Sequence, residues 1–435
     1  MSMHRWVGGM VVVVVLASGG RATAQFGNQE NNPKPNNPNG YQIDTNNPSL
    51  LIFPELRTAP APDWVKPGLR LTYYSAAATI PQSYVGGLVQ DPNGKWVDPS
   101  TGKSYRMEGA ASASGHGYSQ LDVVAMTNDA VVLSLSSYGI EGVDGPVRPI
   151  FSSGLTTLPG AASDWWVNPE VLNKTVDNLN GPGMKAMRTT YKAAGNQYDA
   201  VWVSTQTGNG SISYVMDLAG GMLLHNATCT SSGPSGTTNI NGVPTNVGGS
   251  TSLGQTTFVG MREIHAPWIG MPMPKSLNGV HQLVYEGQSR MSMEGVSTDI
   301  PMRVTVDITG RGPDFIQIKK TVKMTYPGGM MQQPDSIITG VSGAHQLLPL
   351  CIPPRALARL RSGQKIDSDP VTKITTFVSF MGQDPSGNNV VTLTEFTNDN
   401  AVRTDYVYEA AGGILCAVQM SDPMLHTKNT LYRVK

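Results

Sequence analysis

Methionine sulfurs in the second half of the chain form the residue set with the most distinctive chemistry. Met271 and Met273 are followed by Met291 and Met293, and His281 lies between the two pairs. Thioether and imidazole groups bind copper, and thioethers select Cu(I). Methionines at this spacing also point to one face of a strand, where their adaptable side chains fill apolar cores. We therefore treat these five residues as candidate copper ligands, with core packing as the favoured interpretation.

Serine and lysine fragments resemble pieces of catalytic and phosphate-binding motifs. Ser100–Lys103 and Ser362–Lys365 have the S-x-x-K spacing that lets a lysine activate a serine on a helix, but each contains a glycine that weakens a helix. Gly102–Ser104 resembles the end of a phosphate-binding loop, yet Val97 stands where the first glycine of that loop is needed. All three fragments are therefore interpreted as turns.

No other local motif nominates a catalytic residue. The sequence contains neither a G-x-S-x-G elbow nor an H-E-x-x-H zinc helix. The histidines beyond residue 24 show no pair at i and i+4: His116, His225, His265, His281, His345 and His426. A serine, histidine and aspartate set assembled by folding stays open, since triads are recognised by geometry. We therefore assign no catalytic residue, expect no cofactor, and keep a secreted hydrolase as one alternative.

Two further fragments have both a binding and a structural interpretation. Asp91 and Asp98 supply oxygen ligands at turn spacings suited to calcium, but Asp-Pro turns around a short strand explain them as well. Trp165 and Trp166 form a candidate platform for a sugar or a partner, although large aromatic side chains are usually buried. The structural interpretation is favoured for both.

The amino-terminal segment 1–24 has the three parts of a cleavable secretory signal peptide. Arg5 provides the positive charge, residues 7–17 the apolar run, and Ala22–Ala24 the small-residue cleavage site. The apolar run is shorter than the roughly 20 residues of a membrane-spanning helix, and no later segment approaches that length. We therefore expect an exported protein, periplasmic or extracellular, without an integral membrane span.

Composition favours β-structure and gives no indication of electrostatic binding to nucleic acid. The chain carries 31 basic and 31 acidic side chains, and its 14% charged fraction lies below the roughly 25% of typical soluble domains. Its 48 glycines are typical of a chain with many turns. At 435 residues the chain exceeds the roughly 250 to 300 residues at which single cores stop growing. Two domains or two fused halves are therefore expected.

Cys229, Cys351 and Cys416 are the cysteines of the chain. An oxidising compartment permits one disulfide among them and leaves one thiol over in a monomer. Cys416 lies in an apolar run, where cysteine is most often a small buried hydrophobe. The sequence therefore favours a Cys229–Cys351 bridge, and the other pairings stay open.

Two polar tracts divide the chain. Residues 25–61 are dominated by Asn, Pro, Gln and Gly, with too little apolar surface to offset the entropy of ordering, so we predict a disordered spacer. Residues 228–264 are rich in Ser, Gly, Thr and Asn and form either a linker or a long excursion from a hairpin. The β-rich halves are then residues 62–227 and 265–435.

An internal repeat relates the two halves. Tyr214–Leu224 aligns without gaps on Tyr406–Cys416, with a Gly-Gly pair at the same position in each. Upstream, a proline opens a short helix candidate in each half, at Pro169–Leu179 and at Pro354–Leu360. The matching order of these features predicts that the two Gly-Gly pairs occupy equivalent turns.

Each half therefore has the pattern of an antiparallel meander with one short helix. Hairpin candidates span Leu121–Ser136 and Arg303–Lys320, and the Gly-Gly pair supplies the turn of a terminal hairpin. The predicted fold class is mainly β, with two related antiparallel β-meander halves. The sequence leaves open whether these halves form two domains in series or share one sheet or sandwich.

The sequence favours a binding protein over an enzyme. The export signal, the lack of a complete catalytic motif and a duplication that can create a site at its junction indicate a non-catalytic exported β-protein. We expect it to bind an unidentified ligand, surface or envelope partner through a concave sheet or the cleft between the halves. A structural or envelope-associated protein, a secreted hydrolase and a methionine-based copper-handling protein are the alternatives.

Overall fold

The computed structural model describes a protein that is mainly β, as predicted: 61% of the described residues lie in strands and 6% in helices. The described residues are 40–44, 55, 59–81, 87–105, 113–140, 142, 145–160, 165–233, 236–240, 243–247, 249–293, 296–326, 335–397, 402–423 and 427–434. Only the backbone is described at 113–114, 207, 236–240, 243–247, 291–293 and 296. The predicted signal peptide 1–24 lies outside the described residues.

The first half contains one large antiparallel sheet and two small ones. Its strands are β1 (Leu69–Ile80), β2 (Val89–Gln90), β3 (Trp96–Val97), β4 (Ser104–Tyr105), β5 (Ala113–Met126), β6 (Val131–Ile140), β7 (Val147–Thr157), β8 (Met184–Ala193), β9 (Asn196–Thr207), β10 (Gly210–Asp217), β11 (Leu223–Ser232), β12 (Gly236–Ile240), β13 (Val243–Val247) and β14 (Ser250–Glu263). The large sheet has nine strands in the order β7-β6-β5-β1-β14-β11-β10-β9-β8. Strands β2–β4 and β12–β13 form the small sheets.

The second half contains one sheet of ten strands in the order β18-β17-β16-β15-β24-β23-β22-β21-β20-β19. Its strands are β15 (Gln282–Met293), β16 (Val296–Arg311), β17 (Phe315–Met324), β18 (Ser336–Gly343), β19 (Lys365–Ser368), β20 (Thr375–Gln383), β21 (Asn389–Thr397), β22 (Val402–Glu409), β23 (Leu415–Asp422) and β24 (Thr427–Arg433). Both predicted hairpins are confirmed, as β5–β6 and β16–β17. The described strands therefore form two separate large sheets.

A short helix covers the core face of each large sheet. Helix α1 (Pro169–Thr175) begins where the Asn168 side chain accepts hydrogen bonds from two backbone N–H groups of the first turn, and a 3-10 turn (Val176–Asn178) follows it. Helix α2 (Pro354–Leu357) is shorter than the predicted Pro354–Leu360. Further 3-10 structure occurs at Lys275–Leu277. None of the helices in the described part of the chain has the length and apolar character required to cross a bilayer.

The Gly-Gly pairs occupy turns with the same main-chain contacts, as the aligned sequences predict. The N–H of Gly221 and that of Gly413 each donate to the carbonyl four residues earlier, at 2.8 Å. Their carbonyl oxygens accept hydrogen bonds from the segments before the short helices, from Val167 N at 2.7 Å and from Ile352 N at 2.9 Å. Each turn therefore fixes the segment that covers its sheet.

Strand β14 extends the first sheet to Glu263, beyond the predicted boundary at residue 227. It lies between β1 and β11 at the centre of the sheet. The other members of the tract 228–264 are the end of β11 and the hairpin β12–β13. The many Ser, Thr and Gly residues make this strand resemble a linker in the sequence, although threonine favours strands.

Residues 40–44, which lie within the predicted spacer 25–61, contact both halves. The Tyr41 side chain is only 2% exposed, and its ring packs edge-on against Phe315 at a centroid distance of 5.0 Å. Its hydroxyl donates to Asp129 Oδ1 at 2.6 Å. One tyrosine thus joins the hairpin β5–β6 of the first half to β17 of the second.

The backbone of Gln42 and Asp44 extends this contact with hydrogen bonds to both halves. Gln42 N donates to the Gln317 side-chain oxygen at 2.8 Å, and the Gln317 amide returns a hydrogen bond to the Gln42 carbonyl at 2.6 Å. Asp44 N donates to Thr156 O of β7 at 2.7 Å. Residues 40–44, named the clasp below, therefore bridge the two sheets.

The three cysteines are free thiols, so the predicted Cys229–Cys351 bridge is wrong. Cys229 lies on β11 of the first sheet, whereas Cys351 pairs with Ile414 beside the Gly-Gly turn of the second half. Burial raises the pKa of the Cys351 thiol to about 12 and also raises that of Cys229. Both buried thiols are consequently protonated at neutral pH.

Replacing the second glycine of either turn by alanine is expected to destabilise the protein by about 3 kcal/mol or more. A β-carbon at Gly221 or Gly413 would lie 1.9 Å from a backbone carbonyl oxygen, and both residues have positive φ. Gly363→Ala is the matched control, because Gly363 has a φ of +77° but no atom within 4 Å of the added carbon. Urea unfolding measures the difference, and equal losses for control and test variants would contradict the close-contact argument.

Tyr41→Ala is expected to cost about 3 kcal/mol of stability, because it removes a buried aromatic ring from the contact between the halves. Tyr41→Phe keeps the ring and loses the hydroxyl bond to Asp129, which predicts a cost of about 1 kcal/mol. Tyr432→Ala serves as a control, since that side chain is 51% exposed. Thermal unfolding checks the order, and a Tyr41→Ala protein as stable as the control would rule out the clasp.

Candidate functional site

The structure places three of the five candidate copper ligands in different surroundings. Met271 packs against the core cluster around Trp268, and Met273 packs against the cluster around Leu277. His281 is exposed and lies immediately before β15. Met291 and Met293 lie at the end of β15, and their side chains are outside the described residues. The placement of Met271 and Met273 supports the core-packing interpretation, and copper binding stays a prediction.

The other fragments singled out by sequence have structural roles. Ser100–Lys103 and Ser362–Lys365 lie in turns whose glycines have φ of +71° and +77°, so neither forms a helix. Asp91 Oδ1 accepts the N–H of Lys95 at 2.8 Å, and Asp98 Oδ1 accepts that of Ser100 at the same distance. Across the described residues, no three His, Cys, Asp or Glu side chains converge as a metal site.

One row of side chains crosses the inner face of the second sheet, which is the face that carries its core clusters. In register, Tyr406 is opposite Val418, Val418 is opposite Leu431, and Gly287 separates Leu431 from Met302. Directly opposed residues of antiparallel strands point to the same face. Tyr406 and Leu431 contact the core clusters, which identifies this face as the inner one.

A second, more polar row runs parallel to the first. Its members, each directly opposite the next, are Glu395, Thr404, Met420, Asn429 and Ser289. The segments that cover the core place Trp268 and Leu277 over neighbouring rows. Val418, Leu431, Met420 and Asn429 keep intermediate exposure. We name these two rows the inner-face site, a partly open surface beside a packed core.

Glu395 lies at one end of the inner-face site, and its carboxyl group has a raised pKa. Burial raises its pKa to about 7. The Tyr406 hydroxyl, which donates to Glu395 Oε2 at 3.1 Å, and the Arg70 charge lower the pKa, whereas Asp367 and Asp122 raise it. The carboxyl group is therefore partly protonated at neutral pH and can donate or accept a hydrogen bond.

Ion pairs between the halves surround this end of the site. Arg70 binds Asp122 through two hydrogen bonds of 2.7 and 2.8 Å within the first sheet. Arg262 of β14 crosses to the second half, where it binds Asp367 at 2.6 and 2.9 Å and Asp369 at 3.0 Å. Bidentate arginine–carboxylate pairs fix geometry as well as charge. This junction therefore holds the first half against the Glu395 end of the site.

Two buried polar atoms at the site have no hydrogen-bond partner among the described residues. They are Asn429 Oδ1, in the second row, and Arg433 Nη1, in the next position on the inner side of β24. The other terminal nitrogen of Arg433 donates to Glu409 Oε2 at 2.9 Å. An unsatisfied buried donor or acceptor costs about 1–3 kcal/mol, and a ligand that supplied the missing hydrogen bonds would remove this cost.

A depression lies on the first half, between the small sheet β2–β4 and strands β8 and β9. Its volume is about 290 Å³, and its lining includes Val89, Asp91, Val97, Met184, Lys185 and Trp202. Trp202 donates its indole N–H to the Gln90 carbonyl at 3.1 Å. The volume is at the lower limit of ligand pockets, which is about 300 Å³. The inner-face site, with its unsatisfied polar atoms, is the stronger candidate.

No protein-family model matches the sequence, and no curated protein does. A DUF1329 family protein from Desulfovibrio piger matches with a TM-score of 0.16 and 11% identity over 37% of this chain and 87% of that one. The MucA/MucB complex of Pseudomonas aeruginosa matches with a TM-score of 0.17 and 11% identity over 83% of this chain and 87% of that one. These TM-scores are too low to establish a common fold or to assign a function.

Sequence reasoning did not identify the residues of the inner-face site. The available signal is a carboxylate at an inward position of an apolar strand, since Val391, Leu393 and Glu395 alternate along β21. Asn429 and Arg433 have no such signal, because their surroundings come from strands distant in sequence. The site therefore becomes visible only when the second sheet is assembled.

The pKa of Glu395 predicts that protein stability falls as pH rises from about 5 to about 8. The folded protein holds this proton more tightly than the unfolded chain, whose glutamate has a pKa of 4.5, so the advantage is complete below 4.5 and is lost as pH passes 7. The loss amounts to at most about 3 kcal/mol. Glu395→Gln, which stays neutral, is expected to remove this pH dependence.

Glu286→Gln is the matched control for this experiment. Glu286 lies on the opposite face of the same sheet and pairs with Arg303 at the surface, where its side chain is 49% exposed. Surface ion pairs contribute about 0–1 kcal/mol. Chemical unfolding across the pH range in which Glu395 titrates gives the answer. A Glu395→Gln protein with the pH profile of wild type would disprove the assignment.

Proposed function

We propose that this chain is an exported, non-catalytic binding protein that holds an amphipathic small molecule on the inner face of its second sheet, beside the junction of the halves. The signal-like segment 1–24 supports export. Val418, Leu431 and Met420 supply an apolar surface that stays partly exposed next to the core. Glu395 and Asn429 supply polar groups along one side of it.

The single observation that carries this proposal is the combination of a partly exposed apolar row with buried polar atoms that lack partners. Apolar side chains on an inner face are normally covered, because each Å² removed from water contributes about 25 cal/mol. A ligand with an apolar body would complete the burial of Val418 and Leu431. Its polar groups would satisfy Asn429 Oδ1 and Arg433 Nη1. Ligand sites combine a mostly apolar lining with a few polar groups in this way.

One arrangement of side chains, around His225, resembles the triad of a hydrolase. The groups in it are poorly suited to catalysis. His225 Nδ1 is 2.8 Å from the Thr257 hydroxyl, and His225 Nε2 is 2.5 Å from Gln90 Oε1. Burial lowers the pKa of His225 to about 4, so the imidazole is a poor base at neutral pH. Gln90 occupies the position of the acid in a triad but cannot stabilise an imidazolium with charge. Binding is therefore the better-supported function.

Native mass spectrometry of the full chain, purified from its own host, tests the proposal. Wild type is expected to carry a non-covalent small molecule that organic solvent extracts. Leu431→Trp fills the first row and is expected to abolish the added mass. Tyr432→Trp lies next to it on the outer face, where Tyr432 is 51% exposed, and is expected to retain the added mass.

Each outcome of this experiment bears on the proposal. Loss of the added mass in the Leu431 variant alone supports the inner-face site, provided that circular dichroism shows the variant folded. If both variants retain the added mass equally, the ligand binds elsewhere, and the inner-face site is wrong. A wild-type protein that shows no added mass, and whose organic extract contains no small molecule, would overturn the proposal. That result would favour the structural or envelope-associated alternative.

A further inference from the structure

Lys320 is a cation on the inner face of the second sheet. It lies on β17 opposite Val306 of β16 and Ile338 of β18. Val306 belongs to a core cluster, and so does Ile318, which is two residues before Lys320 on the same face. The lysine therefore points to the same face as the inner-face site, at the opposite end from Glu395.

The surroundings of Lys320 are apolar. The ion pairs formed by described residues do not include it, and the nearby pair of Arg303 and Glu286 lies on the outer face, at 2.8 Å. Burial lowers the pKa of the Lys320 ammonium, and no neighbouring carboxylate contributes to the shift. Lys320 keeps intermediate exposure, and an ammonium that lies against apolar side chains without an anion is costly, so a ligand that supplies a negative charge would be favoured there.

An apolar surface connects Lys320 to the rows of the inner-face site. The position next to Lys320 on its own face is Val322, which is opposite Val304. Val304 packs against the core and keeps intermediate exposure, and Met302 of the first row follows it on β16. A molecule with one polar end at Lys320 can therefore lay an apolar chain across Val304 and Met302 toward Leu431.

We propose that the Lys320 ammonium binds the anionic head of the ligand, and that this ligand is a single-chain amphiphile with a carboxylate. The inference rests on the proposed function and specifies the chemical class of its ligand. One lysine balances the single charge of a carboxylate, whereas a dianionic phosphate is usually held by arginine clusters or several donors. The apolar lining between Lys320 and Leu431 matches the chain of such a molecule.

Binding of hexadecanoate and hexadecanol to the full-length protein, measured by isothermal titration after removal of any bound ligand, tests the inference. The two probes share one chain and differ in the charge of the head. Wild type is expected to bind hexadecanoate about tenfold more tightly than hexadecanol, which is the gain from one charge-assisted hydrogen bond. Lys320→Met is expected to abolish this preference and leave hexadecanol binding unchanged.

Two variants control for indirect effects. Lys320→Arg keeps the charge and is expected to keep the preference for hexadecanoate. Lys319→Met removes an exposed lysine from the outer face of the same strand and is expected to behave as wild type. Equal affinities for the two probes in wild type, or an unchanged preference in Lys320→Met, would overturn the role of Lys320 and leave the binding function intact. Failure of wild type to bind either probe would overturn both proposals.

Discussion

The hydrogen bond between each Gly-Gly turn and the segment before the short helix is the contact on which both halves depend. An antiparallel sheet with one apolar face is stable only when another element covers that face. The carbonyl oxygens of Gly221 and Gly413 each bind a backbone N–H of the covering segment. Because a β-carbon at either position would overlap a backbone carbonyl, glycine allows a closer approach there than any other residue.

The two large sheets are covered to different extents. The first sheet is covered by α1 and by aromatic side chains such as Trp166, which is fully buried. The second sheet is covered over the rows near Trp268 and Leu277, and the rows of Val418 and Met420 stay partly exposed. The molecule thus combines one filled sheet with one that retains a partly open surface. The ion pairs of Arg262 bring the first half to the edge of that surface.

Local patterns made most of the fold predictable. The hairpins β5–β6 and β16–β17, the proline-headed helices and the equivalent Gly-Gly turns each depend on residues close in sequence. Strand β14 and Tyr41 were not predicted, because their partners are distant in the chain and their own segments are polar. The same reason applies to the site. Burial raises the pKa of Glu395 and groups of both halves modify it, and no window of sequence contains them together.

The clasp also determines the order in which the chain can complete its fold. Tyr41 and Gln42 leave the ribosome early, yet their partners Phe315 and Gln317 lie more than half the chain later. During synthesis, the first half can therefore collapse before Tyr41 and Gln42 reach their partners in the second half. Long-range contacts of this kind form last because they close the largest loops. The contacts that Tyr41 and Gln42 make with Phe315 and Gln317 thus form only once the second half has folded.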